Sequence, residues 1–269
     1  MHKISETSAA VLLWALKGIY QSTAATQYLA KLDLSAGVAL NKACTAIWPH
    51  YGELILNRKF GILQLCQSIL TQDKSQDKGI EQIIIAGAGL DAMGIELAAR
   101  FPACRIFEID WENMDIKHQL AENSGCLFIH ADLQDATSCK QALEKADWSP
   151  TQPSLLLLEG ITYYIQDTDL ENLCKTLAPQ TVIAEYMKPT HAMTEQAHQI
   201  SHAVFATIQK YCEIGDIRTY EAGELSTLIG LKMVDLWSMQ RLEADRMGQN
   251  RHFPTSKAGW IEIGLFSNT

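Results

Sequence analysis

The pattern of apolar and polar positions changes character near residue 80. Between residues 8 and 71, apolar residues recur at helical spacing, with breaks at Asp33-Leu34-Ser35 and Trp48-Pro49. That stretch predicts a helical region. Thr71 to Gly79 is polar, with Gln-Asp-Lys-Ser-Gln-Asp-Lys between its ends, and predicts a loop. From residue 80, short apolar runs alternate with amphipathic stretches. Strands are expected at 82–86, 105–109, 126–130, 154–158, 181–186, 231–238 and 259–266, with helices at 91–100, 111–123, 134–146, 168–177 and 221–229. This alternation implies an α/β fold, a doubly wound, mostly parallel seven-stranded sheet. Residues 1–71 would form a helical N-terminal cap on a main domain spanning 72–269. The segment 187–220 is longer than a simple connection and reads as a helical lid inserted over the site.

One turn in this pattern points to chemistry. Residues 83–94 read Ile-Ile-Ile-Ala-Gly-Ala-Gly-Leu-Asp-Ala-Met-Gly. A β-branched run of this kind marks a strand buried on both faces. Gly87 and Gly89 allow a tight turn and close approach of a ligand to the backbone, and Asp91 can cap the helix that follows. A strand, a glycine turn and a helix are how parallel sheets hold nucleotide-like cofactors at their carboxyl edge. Gly94 comes too late for Gly-x-Gly-x-x-Gly, and Leu90 and Asp91 stand where a pyrophosphate would lie. A dinucleotide is therefore disfavoured, and with it a nicotinamide dehydrogenase. A nucleoside cofactor without phosphates, such as S-adenosylmethionine, fits better.

Charge and composition narrow the partners. The formal net charge is -9, and no arginine cluster occurs, so nucleic acid is not an expected partner. No apolar run reaches the ~18–20 residues of a membrane span. Ala9 to Leu16 is apolar but short, follows Glu6 and ends at Lys17, as in an amphipathic helix. The seven cysteines lie far apart without Cys-x-x-Cys, as expected of free thiols in a reducing cytoplasm.

Further residues fall where a nucleoside would need them. Asp110 ends the second strand, 23 residues after Gly87, where a carboxylate can accept both ribose hydroxyls. Asp132 follows the third strand and can accept from an adenine amino group, while Leu133 can present its backbone N–H to the ring. Each aspartate could instead be a helix cap. Glu159 follows four leucines at the end of the fourth strand, where an idle charge would be costly to bury.

With these motifs in order, the chain resembles the leucine carboxyl methyltransferases and their bacterial O-methyltransferase relatives, from about residue 14 to 186. Gly-Ala-Gly-Leu-Asp (87–91) looks like the family's cofactor turn. Phe-Glu-Ile-Asp (107–110) resembles its second-strand motif, which implies that Asp110 holds the ribose. Ala-Asp-Leu (131–133) is similar to its adenine clamp, and Glu-Gly-Ile-Thr-Tyr-Tyr (159–164) to its glutamate followed by an aromatic pair. The resemblance implies a class I methyltransferase sheet, S-adenosylmethionine as cofactor, and Glu159 near the cofactor's amino-acid end. It also implies that Arg58, in Arg-Lys-Phe-Gly-Ile-Leu-Gln-Leu (58–65), binds the cofactor carboxylate, and that Lys17, in Lys-Gly-Ile-Tyr (17–20), does the same. The family's fifth strand commonly ends in Tyr-Glu or Asp-Tyr facing the acceptor. Here the order is Glu185-Tyr186, which leaves Tyr186 as the aromatic candidate beside the acceptor.

The inserted segment has its own pattern. His191, Glu195, His198 and His202 recur at spacings of four, three and four, on one face of a continuous helix. They could supply a general base, a metal edge or a polar face over a wet cleft. His130, within a strand, reads as a core histidine with satisfied partners. The expected activity is methyl transfer from S-adenosylmethionine to an oxygen of a small-molecule acceptor, with one of His191, His198 and His202 as the base. The alternatives are a carboxyl methyltransferase making a methyl ester on a small acid or a peptide end, and a catalytically silent cofactor-binding module.

Overall fold

A computed structural model of the 269-residue chain describes residues 2–3, 5–71, 79–211, 215 and 217–268. The polar segment expected as a loop falls almost wholly on 72–78, outside the described residues. The chain opens with a two-residue strand, β1 (His2–Lys3), which pairs in parallel with β2 (Leu32–Asp33). Around them stand four helices: α1 (Glu6–Ala15), α2 (Thr23–Leu29), α3 (Ala36–Ile47) and α4 (Tyr51–Thr71). The interruptions at 33–35 and 48–49 are those the sequence predicts, and a further one follows Leu16.

The sheet then forms from β3 (Gln82–Ala86), β4 (Arg105–Asp110), β5 (Cys126–His130), β6 (Ser154–Leu158), β7 (Thr181–Met187), β8 (Lys232–Ser238) and β9 (Ile261–Ser267). Its order is β5-β4-β3-β6-β7-β9-β8, parallel except for β9, which runs antiparallel to both neighbours. The order reverses between β3 and β6, so a crevice opens beyond their carboxyl ends. The connecting helices are α5 (Met93–Arg100), α6 (Met114–Leu120), α7 (Ala136–Lys145), α8 (Asp167–Leu177), α9 (Glu195–Tyr211), α10 (Ala222–Ile229) and α11 (Met239–Met247). α6 is shorter than expected because Asn113 and Asn123 adopt positive φ on either side of it. α11 is absent from the sequence reading. Its polar sequence hides a narrow buried edge, Met239, Leu242 and Glu243, that packs on α4.

Strand periodicity divides the core into two layers. Ile83, Ile85, Leu155, Leu157 and Ile183 face α4 and the N-terminal helices. Ile84, Ala86, Leu156, Leu158 and Ala184 face the opposite layer, with α7, α8 and α10. The first layer includes the N-terminal region because α4 is buried along most of its length and packs on β7 and β9. Glu96 of α5 ties that region down further. Its carboxylate accepts from the backbone N–H groups of Gln21 and Ser22, the latter at 2.9 Å. These bonds hold its carboxyl below the usual range although burial works against ionisation.

Candidate active site

A cavity of about 200 Å³ lies above the carboxyl ends of β3 and β6, roofed by α1, α3, α4 and α9. Its floor is the glycine turn. Gly87 and Gly89 have φ of +69° and +48°, in the left-handed region that favours glycine. A Cβ on Gly87 would press on Ile161 at 3.1 Å, whereas one on Gly89 would stand open to the cavity, with only Ser8 Oγ near, at 3.9 Å. The turn is pinned from β4: Gly87 N–H donates to the Ile109 carbonyl at 2.9 Å, and Gly89 N–H to the Asp110 carboxylate at 2.8 Å. Gly94, too late for a dinucleotide turn, has a packing role. A Cβ there would fall 2.3 Å from Glu108 Oε1, so glycine lets α5 lie directly on β4.

Charged groups from four elements meet at one end of the cavity. α4 supplies Arg58 and Lys59, the turn after β3 supplies Asp91, the end of β6 supplies Glu159, and β7 supplies Glu185. Lys59 Nζ is hydrogen-bonded to Asp91 Oδ2 and lies 2.5 Å from Glu159 Oε1, where the angles give an ion pair without a hydrogen bond. Arg58 donates to Glu185 at 3.0 Å and has a second terminal nitrogen 3.7 Å from Glu159. Glu185, fully buried, also accepts from the Tyr163 hydroxyl and from the Gly160 N–H at 3.2 Å. Asp91 accepts in addition from the Tyr20 hydroxyl and from Met93 N–H at 3.1 Å; the N-cap of α5 is Ala92, one residue later than expected, and it makes no side-chain cap bond.

Burial opposes ionisation of both Asp91 and Glu159, with opposite outcomes. Lys59, in direct contact with Asp91, outweighs burial and holds that carboxyl below its usual range. For Glu159 burial prevails over Lys59, with Asp91 adding repulsion, and the carboxyl is held above its usual range. Lys59 itself is raised, burial being outweighed by Asp91 and Glu159.

The other end is apolar. Ala10, Val11, Leu40, Ile55, Val204 and Phe205 come from four helices that meet over the floor, with Tyr51 and Tyr164 at their border. Tyr163 makes ring contacts with Tyr164 at 5.8 Å and with Phe205 at 6.1 Å, so an aromatic wall joins the two ends.

The structure brings Arg58, Gly87, Gly89 and Glu159 together around this cavity. Asp110 lies beside them through its bond to Gly89. Asp132 and Leu133 continue the same carboxyl edge past β5. Asp132 is exposed and accepts from Gln134 N–H at 2.9 Å, and Leu133 is buried. Lys17 is elsewhere: it is exposed, with its ammonium 3.6 Å from the centre of the Trp14 ring.

The remaining candidates stand off the cavity for reasons of periodicity. Successive strand residues face opposite sides. Glu185 shares the cavity side with Ile183, so Tyr186 points into the other layer, where its hydroxyl donates to Glu262 at 3.0 Å. On α9 the buried edge is Ala197, Ser201, Val204 and Ile208. His198 and His202 follow that edge by one residue, about 100° around the helix, and neither lines the cavity. His191 precedes α9 in a separate 3-10 turn (Thr190–Ala192), so the spacing does not run through one helix. It is exposed, with Nε2 2.6 Å from Glu221. Among the described residues no three His, Cys, Asp or Glu side chains gather as a metal site. His130 is exposed rather than buried.

Lys59, Asp91, Glu185, Tyr20 and Tyr163 were given no site role from sequence. Glu185 had a legible signal, a charge within an otherwise largely apolar strand. The two tyrosines had none, since an apolar ring with one polar tip suits any core edge.

S-Adenosylmethionine carries a carboxylate, an ammonium, a sulfonium, a ribose and an adenine, and the residues present fit it. Arg58 Nε is buried with no hydrogen-bond partner among the described residues, a donor left for an anion. Gly89 and Gly160 leave open space above the floor, and Asp110 ends β4 at the carboxyl edge, where a carboxylate can accept from ribose hydroxyls.

Comparison with known proteins agrees. The sequence matches the leucine carboxyl methyltransferase family over residues 23–178. Among solved structures, a DUF574 family protein from Streptomyces avermitilis is 15% identical, with a TM-score of 0.67 and coverage of 97% of each chain. A candidate methyltransferase from Thermobifida fusca is 13% identical, with a TM-score of 0.66, covering 94% of this chain and 97% of the other. At such identities these two establish the fold alone. No curated protein matches the sequence. No helix among the described residues is long and apolar enough to cross a membrane. The family match spans more than half of the chain, and its cofactor accounts for the donors and open space of the cavity: the chain belongs to the leucine carboxyl methyltransferase family and is an S-adenosylmethionine-dependent methyltransferase.

Proposed function

We propose that the chain transfers the methyl group to the hydroxyl oxygen of a small, apolar, uncharged molecule. The observation that carries this reading is the division of the cavity. Among the described residues its apolar end holds no charged side chain, and at its polar end both cations, Arg58 and Lys59, already face carboxylates. An acceptor carboxylate would need a cation of its own to leave water, and would meet Glu159 and Asp91 instead. A hydroxyl on an apolar body has no such requirement.

S-Adenosylmethionine supplies an electrophilic methyl group on sulfur. In this proposal Arg58 binds the cofactor carboxylate, Asp110 the ribose, and Asp132 with Leu133 the adenine. The apolar helices orient the acceptor and exclude water, and much of the rate of a displacement reaction comes from such positioning. The acceptor's proton leaves toward the carboxylates of the polar end, since no histidine among the described residues lines the wall. The family's name favours a second reading, ester formation on a carboxylate.

A matched pair of acceptors tests the choice. The protein is given methyl-labelled S-adenosylmethionine with a naphthol or with the naphthoic acid of the same ring. The proposal expects an alkali-stable ether from the naphthol. An alkali-labile ester from the acid, with the naphthol inert, would favour the second reading.

A further inference from the structure

The charges at the polar end do not balance. Asp91, Glu159 and Glu185 meet Arg58 and Lys59 in one cluster, three carboxylates to two cations. The neighbouring groups do not correct this. Glu108 already has Lys117 at 2.5 Å, and that pair is neutral as a whole. Tyr20 and Tyr163 are phenols that burial keeps protonated. Cys66, buried on α4 near Glu159, is a thiol pushed up by its burial. With every carboxylate ionised, the cluster is one positive charge short.

We propose that this deficit makes the site select the sulfonium form of its cofactor, with Glu159 as the specificity-determining residue. The inference rests on the methyltransferase reading of the site. S-Adenosylmethionine has a net charge of plus one, and S-adenosylhomocysteine, the product after methyl transfer, is neutral overall. The two share carboxylate, ammonium, ribose and adenine, so Arg58 and Asp110 hold them alike. They differ in one methyl group and one charge. In a water-poor cluster that charge is weakly screened, and it completes the balance only before transfer. Afterwards the acceptor's proton, passed to the polar end, makes up the balance, and the neutral product keeps no hold on the site through charge.

Glu159 is the group through which the deficit acts. It faces Arg58 and Lys59 from α4, Asp91 from the turn after β3 and Glu185 from β7. Without a bound cation, a proton on Glu159 makes up the balance, in line with the direction in which burial moves its carboxyl. A bound sulfonium takes the place of that proton, so binding the cationic cofactor releases more proton than binding the neutral product.

Calorimetric titration of the full chain tests this with three ligands: S-adenosylmethionine, S-adenosylhomocysteine, and sinefungin, which carries an amine in place of the sulfonium methyl. The two cations should bind at least about tenfold more tightly than the neutral thioether. Titrations in buffers of different ionisation enthalpy should show extra proton release for the cations alone. In Glu159→Gln the gap should shrink severalfold, and Asp91→Asn provides the same removal of charge at a second position. Equal or tighter binding of S-adenosylhomocysteine by the unaltered protein overturns the proposal, as does a full gap surviving in both variants. If neither variant folds, the ranking by the unaltered protein decides. Failure of all three ligands to bind would instead overturn the cofactor reading itself.

Discussion

The two ends of the cavity are built on different principles. At the polar end Arg58, Lys59, Asp91, Glu159 and Glu185 come from α4, a turn and two strands, and each fixes the others by charge. At the apolar end Ala10, Val11, Leu40 and Phe205 belong to one apolar cluster, held by dispersion and burial. A charged buried network tolerates few substitutions, because removing one member leaves another unpaired. An apolar wall tolerates many substitutions of similar volume. Under the proposed function a common cofactor is held at the rigid end, and the acceptor is chosen at the adaptable one.

Substitutions should separate the two ends, and Lys59→Met should have the largest effect. It leaves Asp91 and Glu159 facing one another, and breaking a buried pair in this way costs about 3–5 kcal/mol. Denaturant unfolding should show that loss, together with abolished cofactor binding. A near-normal midpoint would mean that water already screens the cluster.

Arg58→Lys should come next. A point charge cannot keep contact with Glu185 and Glu159 while also donating to a cofactor carboxylate. Cofactor affinity should fall by about tenfold or more, equivalent to the ~1.5–3 kcal/mol of a charged hydrogen bond. Calorimetry checks this, and unchanged affinity would remove Arg58 from the cofactor site.

Acid titration of the ligand-free protein sharpens the comparison within the polar end. Asp91 has a folded value below its usual one. Its contribution is therefore complete above the ordinary range near ~3.9 and is lost as pH falls through the folded value. Asp91→Asn should lower Tm at neutral pH, and the gap should close in acid. Glu159 has a folded value above its usual one, so its contribution is complete below ~4.3 and is lost as pH rises through the folded value. Glu159→Gln should therefore gain in Tm over the unaltered protein as pH rises toward neutrality. Parallel Tm profiles for the two variants would contradict their opposite environments.

At the apolar end, Phe205→Ala should raise KM for the acceptor severalfold and leave S-adenosylmethionine affinity unchanged. Loss of cofactor binding there would mean that the two ends are not separable. The smallest effects are expected on the histidine face. His198→Ala and His202→Ala should keep turnover and stay within about 0.5 kcal/mol of normal stability, as surface substitutions usually do. A large fall in turnover in either would return a proton-transfer role to α9.

What the sequence made legible follows the same division. The strands and the glycine turn could be read because a short β-branched run followed by Gly87 and Gly89 has few other meanings. Glu159 was legible as a charge at the end of a leucine run, and Arg58 only through the family resemblance. Glu185 carried that signal too, but choosing it over Tyr186 requires knowing which side of β7 faces the cavity, and alternation alone does not say which side that is. The histidine row was misleading for a related reason. Its spacing assumes a continuous helix, whereas the chain breaks at Met193 and Thr194 before α9 begins. The apolar wall was not legible at all, since residues spread over α1, α3, α4 and α9 meet only through tertiary packing.

The most direct test is a crystal structure of the protein with S-adenosylhomocysteine. The account predicts the cofactor carboxylate on Arg58, the ribose on Asp110 and the thioether sulfur beside Glu159, facing the apolar end. A cofactor whose amino-acid end avoids Arg58, or whose sulfur points toward His198 and His202, would contradict it.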